Sequence, residues 1–318
     1  MQADHQASGT ANAPGFDLAR LIAPTPEEDF FRDHWEQRPL LVQRHDRGFY
    51  ADLLTLDNFD SLLDRSGPDH AGLRVVAGGR MDPVAPEATL ADVYDNFRHG
   101  ATLLARHVSS SWEPLGLLSR SLGRTVSAEV WANCYLTPGG RAQGFSPHCD
   151  NHDVFVAQIH GTKRWRLYGV RHELPLEGRM FKESRVGAAR FEKEFTLEAG
   201  DLLYLPRGVI HAAVTEEEAS LHCTIGVKPV LWSHVIEEAV RGLFDEDVAF
   251  RRALPTGFAE RPESAQEMTA TIERLVATLA ERLSPQEMAQ RARSLVPTSQ
   301  RGRLHGLAAP QQAAAPDA

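Results

Sequence analysis

Apolar positions recur along the chain with two different spacings. Beyond Pro229, Leu231, Val235, Ile236, Ala239, Val240 and Leu243 fall on one face of a helix, and Met268, Ile272, Leu275, Leu279 and Leu283 mark a second. A third helix opens at Ser284-Pro285-Gln286-Glu287, a capping box. From about residue 128 to 230 the chain instead breaks into short strand-like runs, 130–136, 154–159, 164–168, 202–205 and 221–227, punctuated by Gly and Pro. Such runs predict a sandwich or barrel of antiparallel strands. Ahead of them helix and strand signals alternate. Thr25, Pro26 and Glu28 read as a capping box before Phe30, Phe31 and Trp35, and Pro39-Leu40-Leu41-Val42 reads as a short strand. Thr55 and Thr89 read as helix starts, and 73–77 and 101–108 as strands. Residues 1–15 and 298–318 are small, polar or rich in Ala, Gln, Pro and Gly, which predicts disordered tails. The expected organisation is a mainly β domain with α elements over 16–230, its barrel starting near 100, followed by a helical lobe over 231–297.

Composition narrows the function classes. With Lys+Arg 34 against Asp+Glu 43, the formal net charge is −9, so nucleic acid held by bulk charge is not expected. An acidic protein attracts a basic peptide instead. No run approaches the roughly 18 unbroken apolar residues of a membrane span, and the N-terminus lacks the basic and apolar runs of a signal peptide, so the expected location is the cytoplasm. Cys134, Cys149 and Cys223 are odd in number and form no CxxC, which predicts small buried hydrophobes rather than disulfides or a cysteine metal site.

The candidate chemistry centres on Pro147-His148-Cys149-Asp150-Asn151-His152. On a strand His148 and Asp150 share a face and can hold one cation together. Alone, the pair reads more readily as polar residues on a solvated edge. The run 200–211 adds a buried-looking strand, a Pro206-Arg207-Gly208 turn and His211, which the turn swings back toward the barrel mouth. Two histidines and one carboxylate from two strands match the facial triad of non-haem Fe(II) oxygenases.

Gly-x5-Pro-x-Gly-x2-His, ending at His211, resembles the second cupin signature, and His148, Asp150 and His211 resemble the triad of the JmjC-type oxygenases. The runs 30–42 and 133–168 resemble the bacterial and eukaryotic ribosomal oxygenases. The resemblance implies a double-stranded β-helix (a cupin jelly roll of the JmjC type) that binds Fe(II), 2-oxoglutarate and O2 and hydroxylates a side chain. The implied substrate is a protein or peptide, a ribosomal protein among the candidates, and the C-terminal helices are expected to join two subunits as a homodimer. A small metabolite or a natural-product precursor peptide is the alternative substrate, and a non-oxidative metal-binding cupin is the rival of another class.

In Lys163-Arg164-Trp165-Arg166-Leu167 the alternation puts Lys163 on the face of Trp165 and Leu167. Position alone leaves it either a solvated turn lysine or an ammonium that needs a carboxylate; the resemblance places the 2-oxoglutarate cation here. It also implies co-substrate contacts at Asn133, Tyr135 and Thr224, which otherwise read as strand residues bonding locally. Two positions depart from the family. His152 stands where an apolar residue is usual, and Gly226 where a hydroxyl often helps hold the co-substrate. His160 and His222 read as structural residues or as partners of a ligand. About 20 residues follow the last helix, too few for the winged-helix domain of the ribosomal enzymes.

Overall fold

The computed structural model describes residues 15–65, 72–85, 87–176, 190–261 and 264–296. The tails expected at the two ends lie outside these residues, apart from Gly15. The chain divides into two compact units, one up to Pro229 and one from Val230.

The first unit opens with α1 (Leu18–Ile22), whose first turn is closed by the Asp17 carboxylate accepting from the Arg20 amide at 2.9 Å. In α2 (Glu27–Asp33) the capping box expected at Thr25 does not form. Pro26 occupies the N-cap without a side-chain bond, and Glu27, Glu28 and Asp29 meet the positive end of the helix instead. β1 (Leu40–Val42), α3 (Leu56–Arg65), β2 (Leu73–Ala77), β3 (Arg80–Pro83), α4 (Leu90–Arg98) and β4 (Thr102–Ala105) follow. Thr55 and Thr89 cap α3 and α4 as their sequence predicts, the latter in a full capping box with Asp92. Next come α5 (Glu113–Val126), β5 (Ala128–Thr137), β6 (Asp153–His160), β7 (Thr162–Val170), β8 (Lys193–Glu198), β9 (Leu202–Leu205), β10 (Val209–Thr215) and β11 (Ser220–Pro229).

The strands form an antiparallel eight-stranded sheet, ordered β1-β9-β6-β11-β5-β4-β2-β3, and a three-stranded sheet, β10-β7-β8. Period-two alternation gives the larger sheet two distinct faces. Phe155, Ala157, Cys134, Cys223, Ile225 and Tyr204 pack with Phe30, Leu115, Leu118 and Leu122 of the helices. On the opposite face Val154, Val156, Leu203 and Leu205 meet Trp165, Leu167, Leu197 and Val209 of the smaller sheet. This two-sheet core opens into a polar cavity at one end, and the positions of β5, β6 and β11 that share its face line that cavity. Cys134 and Cys223 are buried as expected, whereas Cys149 is only half-buried beside the metal-ligand candidates.

The second unit contains α6 (Trp232–Glu246), α7 (Ser264–Arg282) and α8 (Pro285–Leu295). Val235, Ala239 and Leu243 of α6 are buried, and Ser284 caps α8 by accepting from the Glu287 amide. Of the stripe expected to pack on α7, Met268, Leu275, Leu279 and Leu283 are part-buried while Ile272 is 54% exposed, and Val276, outside that stripe, is 56% exposed. Among the described residues no helix is long and apolar enough to cross a membrane.

Candidate metal centre

His148 and Asp150 do not sit on a regular strand, in contrast to the simple alternation expected of them. A single bridge places them: the amide of His148 donates to the carbonyl of His211 at 3.0 Å, and the amide of His211 donates back at 2.8 Å. Residues directly opposite in such a pair project to the same side. The Gly208 amide donates to the Asp150 carbonyl at 2.9 Å, which holds the two segments together one step further along. Gly208 has φ +91°, and a Cβ there would stand 2.4 Å from the carbonyl of His172, so the turn that aims His211 requires glycine.

The candidate ligand atoms of His148, Asp150 and His211 all lie within 4.8 Å of one another, with His211 Nε2 3.7 Å from Asp150 Oδ2. Each histidine has its tautomer fixed by the backbone. His148 Nδ1 lies 2.8 Å from the carbonyl of Ser146 and His211 Nδ1 3.0 Å from that of Val209. A carbonyl only accepts, so both Nδ1 atoms carry the proton and both Nε2 atoms offer a lone pair. Burial drives the His211 pKa down to about 4, so its imidazole is neutral near pH 7. Burial pushes Asp150 up, but His211, His152 and His148 together outweigh it and hold the carboxyl below its ordinary value. Two imidazoles that present Nε2 and a carboxylate, beside an open cavity, fit an octahedral first-row divalent ion such as Fe(II).

The three residues share a cavity of about 110 Å³ with Asn133, Tyr135, Lys163, Thr224, Thr137, Trp165 and His222. Every site residue expected from the sequence therefore lies on one cavity wall or another. Lys163 is 4% exposed, and its ammonium donates to Thr137 Oγ1 at 2.9 Å; no carboxylate meets it among the described residues. Burial lowers its pKa from 10.5 to about 7. Asn133 uses its Oδ1 to accept from the amide of His107 at 2.9 Å. Tyr135 stacks face to face on His222, centroids 4.8 Å apart, and Phe145 stands against both Tyr135 and His148.

Sequence reasoning gave Thr137 and Trp165 no part in the site and read His222 as a structural residue or a partner of a ligand. His222 lies two residues before Thr224 on the same face of β11, and that spacing is the signal for it. Among the described residues its Nδ1 and the Nε1 of Trp165 are buried without a hydrogen-bond partner. His152 lines the cavity but stands outside the ligand trio; its Nδ1 donates to the Asp153 carbonyl and its ring meets Trp131 edge to face at 4.8 Å. Gly226 is explained by the same tryptophan. A Cβ at that position would stand 2.6 Å from the Trp131 ring, so the ring takes the space a hydroxyl side chain would occupy. A groove of about 760 Å³ in the second unit, between α6 and α8, contains neither histidine nor cysteine.

Residues 113–235 match the JmjC domain model. Ribosomal oxygenase 1 of Gallus gallus is 38% identical over 257 residues, covering 74% of this chain and 41% of that protein. Ribosomal oxygenase 2 of Rattus norvegicus is 33% identical over 289 residues, 86% of this chain and 61% of that protein. The chain thus spans roughly half the length of these relatives. Among solved structures, the ribosomal oxygenase YcfD from Escherichia coli, in complex with cobalt and succinic acid, superposes with a TM-score of 0.51. That match has 21% identity and covers 83% of this chain and 68% of YcfD, a likeness of fold. The chain thus carries a JmjC domain over residues 113–235 and is similar in sequence to the ribosomal oxygenases across most of its length.

Proposed function

We propose that the chain is an Fe(II)- and 2-oxoglutarate-dependent oxygenase that hydroxylates a side chain of a protein or peptide. The observation that carries this reading is the pairing, on the walls of one cavity, of a two-histidine, one-carboxylate trio with a buried ammonium that no carboxylate among the described residues neutralises. His148, Asp150 and His211 would hold the ion. Lys163 would pair with the distal carboxylate of 2-oxoglutarate, and Asn133, Tyr135 and Thr224 would line the co-substrate's flank. When bound, Fe(II) with 2-oxoglutarate and O2 supplies the oxidising power for hydroxylation of a C–H bond, with succinate and carbon dioxide as co-products.

The protein's own part is positional. Ser146 and Val209 carbonyls orient the two imidazoles, and Val154, Val156, Trp165 and Ala213 give the polar cavity one apolar patch, which limits water there. A buried cation with one hydroxyl partner is costly unless an anion meets it, and this favours a dicarboxylate ligand. A non-oxidative cupin has no use for that cation.

The relatives' names and the net charge of −9 both favour a basic segment of a ribosomal protein as substrate. The half-exposed apolar stripe of α7 supports a homodimer formed through the C-terminal helices, and the cytoplasm is the proposed location. The test is succinate release by the Fe(II)-loaded protein with peptides from ribosomal proteins, with mass spectrometry for one added oxygen. His148→Ala should abolish both signals; undiminished turnover in that variant would refute the assignment.

A further inference from the structure

A closed circuit of polar groups, buried except for the partly exposed Glu36, stands behind the metal-ligand segments and lines no part of the cavity. Arg207 Nη1 donates to Asp153 Oδ2 at 2.9 Å and to Glu36 Oε1 at 2.5 Å. The Glu36 amide donates to the Tyr204 hydroxyl at 3.0 Å, and that hydroxyl donates to Asp153 Oδ1 at 2.9 Å. Asp153 is fully buried, and the Arg207 side chain is 5% exposed. Glu36 is held at φ +55°, a backbone conformation a glutamate rarely adopts. Burying an ion pair in this way brings little net stability, so its placement calls for another explanation.

The placement is specific. Asp153 lies three residues beyond Asp150, and Arg207 four residues before His211. The two segments that carry the ligands are joined at one end by the His148–His211 bridge and at the other by the Asp153–Arg207 pair, with the Gly208–Asp150 bond between them. Without the pair, only backbone bonds would set the separation of Asp150 from His211. We infer that Arg207 and Asp153 are positioning residues that fix the span of the metal-ligand trio, and that Glu36 couples the docking of the N-terminal segment after α2 to metal-site geometry.

This inference rests on the proposed metal role of the trio, and the experiment separates the two. Full-length protein is titrated with Co(II), read by calorimetry and by the visible absorption of the bound ion, and each variant is also melted. Wild type and His211→Ala establish the site. If wild type takes up no Co(II), or His211→Ala binds it as well, the metal reading falls and the inference with it. Given a working site, Arg207→Lys keeps the charge but shortens the side chain and loses the planar guanidinium whose Nη1 meets both Asp153 and Glu36. The double variant Asp153→Leu/Arg207→Met replaces the pair with apolar side chains of similar size, so that neither member is left as an unpaired buried charge, as a single deletion would leave it. Both should bind Co(II) about 10- to 100-fold more weakly with an altered absorption band, at temperatures well below their melting points. Glu36→Gln should show a smaller loss in the same direction. Wild-type affinity and an unchanged band in Arg207→Lys and in the double variant, whatever their melting temperatures, would overturn the inference.

Discussion

Raising the pH from 7 to 9 should weaken 2-oxoglutarate binding about 50-fold, through Lys163 alone. The lysine is 4% exposed, and burial lowers its pKa from 10.5 to about 7. At about 1.36 kcal/mol per pH unit, that displacement corresponds to roughly 5 kcal/mol held against the charged form. A ligand that binds only the ammonium form meets about half of the molecules competent at pH 7 and about 1% at pH 9. Each binding event above pH 7 therefore takes up close to one proton. The linkage for folding has the opposite sign. Between pH 7 and 10.5 the unfolded chain holds a proton on this lysine that the folded chain lacks, so this group makes the ligand-free protein more stable as the pH rises through that window. Calorimetry with the Mn(II)-loaded protein, in buffers of different ionisation enthalpy, reads affinity and proton uptake together. Lys163→Arg should flatten the pH dependence, because a guanidinium stays charged. An affinity that is constant from pH 7 to 9, with no proton uptake, would show that this ammonium does not meet the ligand.

Four further outcomes follow from the same geometry. Asp150→Asn should lose tight metal binding, checked by metal content after dialysis, because a neutral amide is a poor replacement for the one anionic donor. Gly226→Ser should destabilise the fold by about 1–3 kcal/mol in chemical denaturation, since its Cβ meets the Trp131 ring at 2.6 Å. Phe155→Ala should cost about 3–5 kcal/mol, because the ring is 1% exposed and touches Phe30 and Tyr204. Light scattering should give wild type the mass of a dimer and Ile272→Asp/Val276→Asp that of a monomer; a monomeric wild type would remove the proposed interface.

How much of this was legible in the sequence depends on whether a residue's surroundings are local. The β1, β2, β6 and β11 signals are largely apolar runs and the β7 signal is an alternation, and the structure holds strands at all five. β3 is exposed along its whole length and β8 along half of it, so neither has an apolar alternation to read. α5 is missed because Gly116 and Gly123 interrupt its pattern. Each glycine allows close approach of another backbone segment, with a Cβ standing 2.8 Å from the Ser109 carbonyl and 2.9 Å from that of Ala128. The face of Lys163 was readable from alternation along β7, but its partner Thr137 comes from a strand 26 residues earlier. His148 and Asp150 were found from their spacing, yet what aligns them is pairing with a segment some 60 residues away, which no local pattern encodes.

His222 Nδ1 and Trp165 Nε1, without a partner among the described residues, bear on ligand design for this cavity. A buried indole N–H that bonds to nothing carries a desolvation cost of about 1–3 kcal/mol, and the first compound to offer it an acceptor recovers that amount. Chelating acids extended by a ring nitrogen or carbonyl toward Trp165 should therefore outbind purely hydrocarbon extensions of equal size. Analogues that fill the same volume with methyl groups should gain little.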